Sequence, residues 1–257
     1  MQIALTIAGS DSGGGAGIQA DLRTFQRFGV FGTSVITAVT AQNTRGVRAI
    51  HPVPAESVAA QLAALAEDLP PAACKSGMLG SAAVVQEVAA ALRRYDFANY
   101  VLDPVMLASS GDRLADREAE PEILARLVPL AALVTPNLAE AAVLAGFAVN
   151  DASAMARAGR ALLDAGAAAV LVKGGHLPGD ELVDLLITPK GVREFPSRRL
   201  ATRATHGTGC TLSAAITAGL ALGRPLEQAV SDGLGYVRRA IAAAPGLGSG
   251  HGPLGVG

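Results

Sequence analysis

Charge, cysteine and long apolar runs are all scarce in this 257-residue chain, and each scarcity removes a class of function. Only 17% of residues are charged and the formal net charge is −1, so nothing in the electrostatics favours nucleic acid or an acidic membrane surface as partner. The six phenylalanines and three tyrosines form no basic–aromatic alternation. The two cysteines, Cys74 and Cys210, make no disulfide framework, and a reducing, cytoplasmic setting is the expectation. The first apolar run, Ile3–Ala8, stops at Gly9 and has no basic flank, so neither a signal peptide nor a membrane span is expected. Later apolar stretches are all interrupted by charge, proline or glycine before they could span a bilayer. His51, His176, His206 and His251 make no zinc pattern. A Walker G-x-x-x-x-G-K-[ST] loop is missing, and the glycine-rich segment Gly9–Gly17 is not the dinucleotide fingerprint.

What remains is a chain that is half hydrophobic and alternates short β-branched runs with helical segments. Strands are expected at Ile3–Ala8, Ser34–Ala41, Ala73–Ser76, Tyr100–Asp103, Leu133–Thr135 and Ala169–Lys173. Helices are expected at Ile18–Phe28, Ala55–Glu67, Ala82–Tyr95, Glu118–Leu127, Leu138–Leu144 and Ala152–Ala165. In Ala82–Tyr95 the residues Val84, Val85, Val88, Ala89 and Leu92 fall on one helical face. Strands alternating with helices imply right-handed βαβ units around a mostly parallel, covered sheet. After Gly174 the pattern changes. Leu182–Ile187 and Val192–Phe195 predict a hairpin, and Thr211–Leu222 and Leu226–Ala243 predict two closing helices. No linker divides the chain, so residues 1–257 read as a single domain, with a loosely held Gly- and Pro-rich tail at 245–257.

Open α/β sheets bind ligands beyond the carboxyl ends of their parallel strands, which directs attention to the residues just after each run. The most telling segment is His206-Gly207-Thr208-Gly209-Cys210, at the start of the first closing helix. Glycines let the backbone N–H groups approach a ligand, and a helix start with unpaired N–H groups suits a phosphoryl group. Cys210 adds an ionisable thiol there, and a helix N-terminus is expected to favour partial thiolate. After the first strand, the glycines Gly9, Gly13, Gly14, Gly15 and Gly17 allow close backbone approach, and Asp21 is either a ligand acceptor or a first-turn helix acid. Gln42 ends the second run with an amide that can face adjacent N and NH₂ groups of a heteroaromatic ring. Met78 is either a soft ring wall or core filling. Asp103, followed by Pro104, suits Mg²⁺ and its waters better than packing. Asn137-x-x-Glu140 has capping-box spacing, yet Glu140 would stand near Asp103 if their strands are neighbours. Lys173 would neutralise phosphate oxygens as a point charge. Gly175–Asp180 and Ser109–Arg113 have the composition of closing flaps.

Taken together, the runs Thr6–Asp21, Thr40–Gly46, Leu102–Met106, Thr135–Glu140, Val172–His176 and Thr205–Ser213 resemble the ribokinase-like superfamily, and within it the hydroxymethylpyrimidine/phosphomethylpyrimidine kinases of thiamine biosynthesis. The matches keep their order over nearly the whole chain. The resemblance implies a three-layer α/β fold with a central, mostly parallel sheet flanked by helices, ATP and Mg²⁺, and a homodimer. It implies phosphorylation of 4-amino-5-hydroxymethyl-2-methylpyrimidine and then of the monophosphate. On that basis Gln42 would bind the aminopyrimidine edge, with Gly9, Asp21, Met78 and Val105 around it. Lys173, Thr208 and Asn137 would face the nucleotide, Asp103 and Glu140 would organise magnesium, and Gly207, Thr208, Gly209 and Cys210 would form the anion hole. Sugar kinases of the superfamily mostly carry Asp where this chain has Cys210. The alternatives are a pyridoxal kinase of the same fold and a non-catalytic pyrimidine-binding sensor.

Overall fold

The computed structural model describes residues 1–106 and 114–255, so the expected flap at Ser109–Arg113 lies outside the described residues. Within them the chain forms β1 (Ile3–Asp11), α1 (Gly17–Arg27), β2 (Phe31–Asn43), β3 (Gly46–Pro52), α2 (Ala55–Asp68), β4 (Ala73–Ser76), α3 (Ala82–Arg94) and β5 (Tyr100–Leu102). It continues with α4 (Ala119–Glu122), β6 (Leu133–Val134), α5 (Leu138–Ala145), α6 (Ala152–Asp164), β7 (Val170–Val172), β8 (Glu181–Thr188), β9 (Gly191–Arg198), α7 (Thr208–Ala221) and α8 (Leu226–Ala242). The helix expected at Glu118–Leu127 keeps its α geometry only through Glu122 and then widens to a π turn at Ile123–Leu127.

The strands make one nine-stranded sheet in the order β3-β2-β1-β4-β5-β6-β7-β8-β9. Pairings from β2 through β7 are parallel, while β3, β8 and β9 join antiparallel. Alternation along the strands divides the core. Leu5, Ile7, Leu102, Val134, Val170 and Val172 pack into one cluster; Val101, Leu133, Leu171 and Leu186 pack into another on the opposite face. Both faces are covered, α2–α6 on the first and α1, α7 and α8 on the second, which is why these runs read as nearly continuous apolar sequence. No helix among the described residues is long and apolar enough to cross a membrane.

Two segments differ from the sequence expectation. Residues 46–52, not among the expected strands, form β3 against β2, with Asn43 opposite Gly46. Residues 251–255 of the expected loose tail are hydrogen-bonded to the rest of the fold. His251 N–H donates to the Thr44 carbonyl at 2.7 Å, Gly252 N–H to Arg203 at 3.1 Å and Gly255 N–H to Ala240 at 2.9 Å. His206 and Pro253 form a parallel bridge. Residues 249–255 therefore lie against the strand-end loops as a strap.

Sheet order also fixes where the crevice opens. From β1 the chain steps outward to β2 and β3, then returns across to β4 and proceeds the other way. The order reverses between β1 and β4, and that reversal separates the loops at the strand ends.

Candidate active site

A crevice of about 1520 Å³ runs along the carboxyl edge of the sheet. Of the residues singled out from sequence, Gly9, Gln42, Met78, Val105, Asp103, Asn137, Glu140, Lys173 and Gly207–Cys210 all line it. The strand order divides it into three. The ends of β2, β1 and β4 carry Gln42, Gly9 and Met78. The ends of β5, β6 and β7 carry Asp103, Asn137 and Lys173. Beyond them lie β9 and the inner face of α8, with Pro196, Leu234, Val237 and Ile241.

The middle part is polar and dense. Lys173 follows β7 in an isolated bridge to Asn137, and its Nζ lies 3.0 Å from Asp103 Oδ1 and 4.0 Å from Glu140 Oε2. Asp103 also accepts from Ser213 Oγ at 3.1 Å and Thr135 Oγ1 at 3.3 Å. Burial would raise Asp103, but Lys173 and Lys75 outweigh it and hold the carboxylate below its usual value. Burial would likewise lower Lys173, and Asp103 and Glu140 outweigh it, so Lys173 stays protonated. Glu140 goes the other way: burial, reinforced by the Asp103 charge and only partly offset by Lys173, pushes it up to about 7. The capping box is real as well, with Asn137 N–H donating to Glu140 Oε2 at 2.8 Å and Glu140 N–H to Asn137 Oδ1 at 2.9 Å. Glu140 thus both caps α5 and faces Asp103.

Gly207 starts α7 with φ +80° and no side-chain cap, leaving the helix mouth to backbone N–H groups. A Cβ at Gly207 would lie 2.0 Å from the Gly15 carbonyl oxygen, and one at Gly209 would lie 3.3 Å from Lys173 Nζ. The first distance shows that the glycine-rich loop after β1 packs directly on this turn. The second shows that Lys173 and the helix mouth face each other with no side chain between them. Such an arrangement can hold a phosphoryl group between a point charge and the backbone N–H groups of a helix start.

Two expectations are corrected. Asp21 does not line the crevice. Its carboxylate is fully buried, 2.9 and 3.0 Å from Lys75 Nζ, and accepts from Thr6 Oγ1 at 2.6 Å. The local reason is register: Thr6 of β1 and Lys75 of β4 sit opposite each other and both meet Asp21 of α1. Burial alone would lower Lys75, but Asp21 outweighs it and Lys75 stays above its ordinary value. The pair is a structural pin beneath the site. Lys75→Met strands a buried carboxylate and is expected to cost about 3–5 kcal/mol, read as a lower urea midpoint. Adding Asp21→Asn removes the stranded charge and should recover part of that loss; an unchanged midpoint in the single variant would contradict the pairing.

The second correction concerns Cys210. Its thiol accepts from Gly17 N–H, but burial dominates and, despite Lys75, pushes it up to about 12. A helix N-terminus alone would lower it; here the loss of solvent is the larger effect. Cys210 is a thiol at neutral pH, not a partial thiolate.

His206 heads the segment singled out from sequence but has no role assigned there, and Asp11 is not singled out at all. Both line the crevice, and His206 Nε2 is 2.8 Å from Asp11 Oδ2. The sequence signal is adjacency: His206 directly precedes Gly207, and Asp11 lies within the glycine-rich segment Gly9–Gly17.

A helix mouth facing a lysine at the strand ends of this sheet puts the chain in the class of ribokinase-like small-molecule kinases, and the solved structures agree. The chain has a TM-score of 0.93 to the pyridoxal kinase from Staphylococcus aureus in complex with AMP-PCP, at 32% identity, covering 100% of this chain and 94% of that one. The sequence model described as phosphomethylpyrimidine kinase matches residues 11–255, and the chain belongs to that family. It is 53% identical to the hydroxymethylpyrimidine/phosphomethylpyrimidine kinase of Rhizobium meliloti (strain 1021), over 98% of this chain and 96% of the relative. The crystal structure of phosphomethylpyrimidine kinase from Clostridium difficile 630 superposes with a TM-score of 0.84 at 42% identity, covering 94% of this chain and 100% of that one.

Proposed function

We propose that this chain transfers the γ-phosphoryl group of ATP to the hydroxymethyl oxygen of 4-amino-5-hydroxymethyl-2-methylpyrimidine, and then a second one to the monophosphate, in thiamine biosynthesis. The observation that carries the reading is the opposition of Lys173 and the Gly207–Cys210 helix mouth, with Gln42 farther along the same crevice. Gln42, flanked by Gly9, Met78 and Val105, takes the pyrimidine. Lys173, Thr208 and Asn137 take the phosphates, and the apolar shelf of Pro196, Leu234, Val237 and Ile241 suits the nucleotide base.

Magnesium fits the residues present. Among the described residues no cluster of three or more His, Cys, Asp or Glu is placed for a metal, but Mg²⁺ commonly uses one or two carboxylates with phosphates and waters. Asp103 and Glu140 are buried and mutually repelling, a pair whose charge a cation would neutralise. Bound there, the ion would offset negative charge on the phosphate oxygens. Lys173 adds a fixed positive charge, the α7 N–H groups receive the equatorial oxygens, and the loose transition state requires chiefly alignment and charge stabilisation. A homodimer and a cytoplasmic setting complete the reading, the first on family resemblance and the second on the two unpaired cysteines.

The test is a product assay with ATP, Mg²⁺ and the hydroxymethylpyrimidine that resolves mono- from diphosphate, with pyridoxal as a parallel substrate. The expected result is both pyrimidine products and a higher kcat/KM than for pyridoxal. Binding of the pyrimidine without ADP release would instead mark a sensor.

A further inference from the structure

We propose that His206, held by Asp11, is a specificity-determining positioning residue: it fixes the side-chain amide of Gln42 with Oε1 toward His206 and Nε2 toward Thr40. The inference rests on the reading of Gln42 as the pyrimidine-binding amide and deepens it. Asp11 is the starting point. Its Oδ1 accepts from Gly13 N–H at 2.7 Å, and its Oδ2 from Gly15 N–H at 3.0 Å and Ala16 N–H at 2.9 Å. Those bonds and His206 outweigh its burial and keep Asp11 an anionic acceptor. An acceptor 2.8 Å from His206 Nε2 requires the hydrogen to sit on that nitrogen, whether the ring is neutral or charged.

The same Nε2 lies 3.2 Å from the nearer amide atom of Gln42, placed as nitrogen. Two N–H donors facing each other make no bond. A second conflict stands at the other amide atom, placed as oxygen 3.3 Å from Thr40 Oγ1, because the single Thr40 hydrogen is already directed to the Ser10 carbonyl at 3.0 Å. Amide oxygen and nitrogen are distinguished by the bonds they make. Reversing the amide resolves both conflicts at once: Oε1 shares the His206 hydrogen with Asp11, and Nε2 donates to Thr40 Oγ1. The Gly15 backbone packs against the His206 ring, so closely that a Cβ there would stand 2.5 Å from Cδ2, and the backbone N–H of His206 is bonded to the Gly252 carbonyl at 3.2 Å.

Gln42 then offers the crevice one free N–H on the Thr40 side and one Oε1 lone pair on the His206 side. That order matches a ring edge carrying a nitrogen acceptor beside an amino donor. It opposes an edge carrying N–H beside a carbonyl, because each ligand group would meet its own kind. A freely rotating amide would accept either edge.

The experiment compares kcat/KM for 4-amino-5-hydroxymethyl-2-methylpyrimidine with that for its 4-oxo analogue in wild type, His206→Phe, His206→Gln and Gln42→Ala. In His206→Phe, which keeps a ring but no donor, the amino-over-oxo ratio is expected to fall about tenfold or more. His206→Gln, which can still donate, should retain most of it. A ratio unchanged in His206→Phe but collapsed in Gln42→Ala would overturn the role of His206 while leaving Gln42 as the reader. A ratio unchanged in both would overturn the two together. Nitrogen-15 NMR of the unmodified protein tests the same point without a variant: a protonated His206 Nε2 is expected, and an unprotonated one defeats the proposal.

Discussion

Replacing Lys173 by methionine is expected to lower the rate of both phosphorylations by about 10³-fold, the scale of one preorganised charge or oxyanion donor aimed at a transferring group. Methionine preserves much of the volume, so the loss reports charge rather than a cavity. Three effects act in the same direction. The point charge opposite the α7 mouth disappears, leaving only backbone N–H groups to face the phosphoryl oxygens. Asp103, whose ionised state depends on Lys173 at 3.0 Å, rises toward protonation. Glu140, already raised to about 7 by burial and by Asp103, loses its offsetting cation. Arginine keeps the charge but carries a planar fork in place of a compact ammonium, and the lysine nitrogen sits close under Gly209. Lys173→Arg is therefore expected to recover less than about a tenth of the wild-type rate. ADP release at saturating ATP, measured separately with the pyrimidine and its monophosphate, checks both variants. A methionine variant retaining about a tenth of wild-type activity would remove Lys173 from phosphate binding.

Much of this arrangement was legible in the sequence because it follows local rules. The short, continuous apolar runs at Val101–Leu102, Leu133–Val134 and Val170–Val172 mark strands buried on both faces, and polar residues directly after them mark the crevice. Asn137 and Glu140 carry their cap at a fixed spacing. β3 escaped because it is an edge strand: none of its residues is fully buried, so Gly46–Pro52 has no apolar face to display. Lys75 sits inside a four-residue buried strand, and nothing nearby explains it; its partner Asp21 is 54 residues away. His206 and Asp11 are 195 residues apart and meet only once the glycine-rich loop folds onto the start of α7. The tail reads as loose because its glycines and prolines make no pattern, yet backbone groups of residues 251–255 find partners on Thr44, Arg203 and Ala240. Cys210 shows a different limit. A helix start alone favours the thiolate, but burial, which a sequence does not display, has the larger effect.

Cys210→Ala is expected to slow the first phosphorylation by about 10²-fold or more and the second by less than about tenfold, because only the first acceptor has a proton to lose. In the first step the hydroxymethyl oxygen bonds to phosphorus, the bond to the ADP oxygen breaks, and the hydroxyl proton must leave. In the second a phosphate oxygen, already anionic, is the nucleophile. With burial pushing its thiol up to about 12, Cys210 is almost wholly protonated at neutral pH. If that small thiolate fraction takes the proton, the first-step rate rises about tenfold per pH unit from 7 toward 10, and the second does not. The sign follows from the direction of the shift: raising a thiol's value reduces its basic form throughout the neutral range, so each increase in pH restores some. Cys210→Ser lacks an accessible ionisation and is expected to match alanine, with a first step flat in pH. Single-turnover measurements on the pyrimidine and its monophosphate separate the two steps. Equal losses in both would make Cys210 part of the anion hole's wall and leave proton departure to the loose transition state itself, where the oxygen becomes acidic only as the new bond forms.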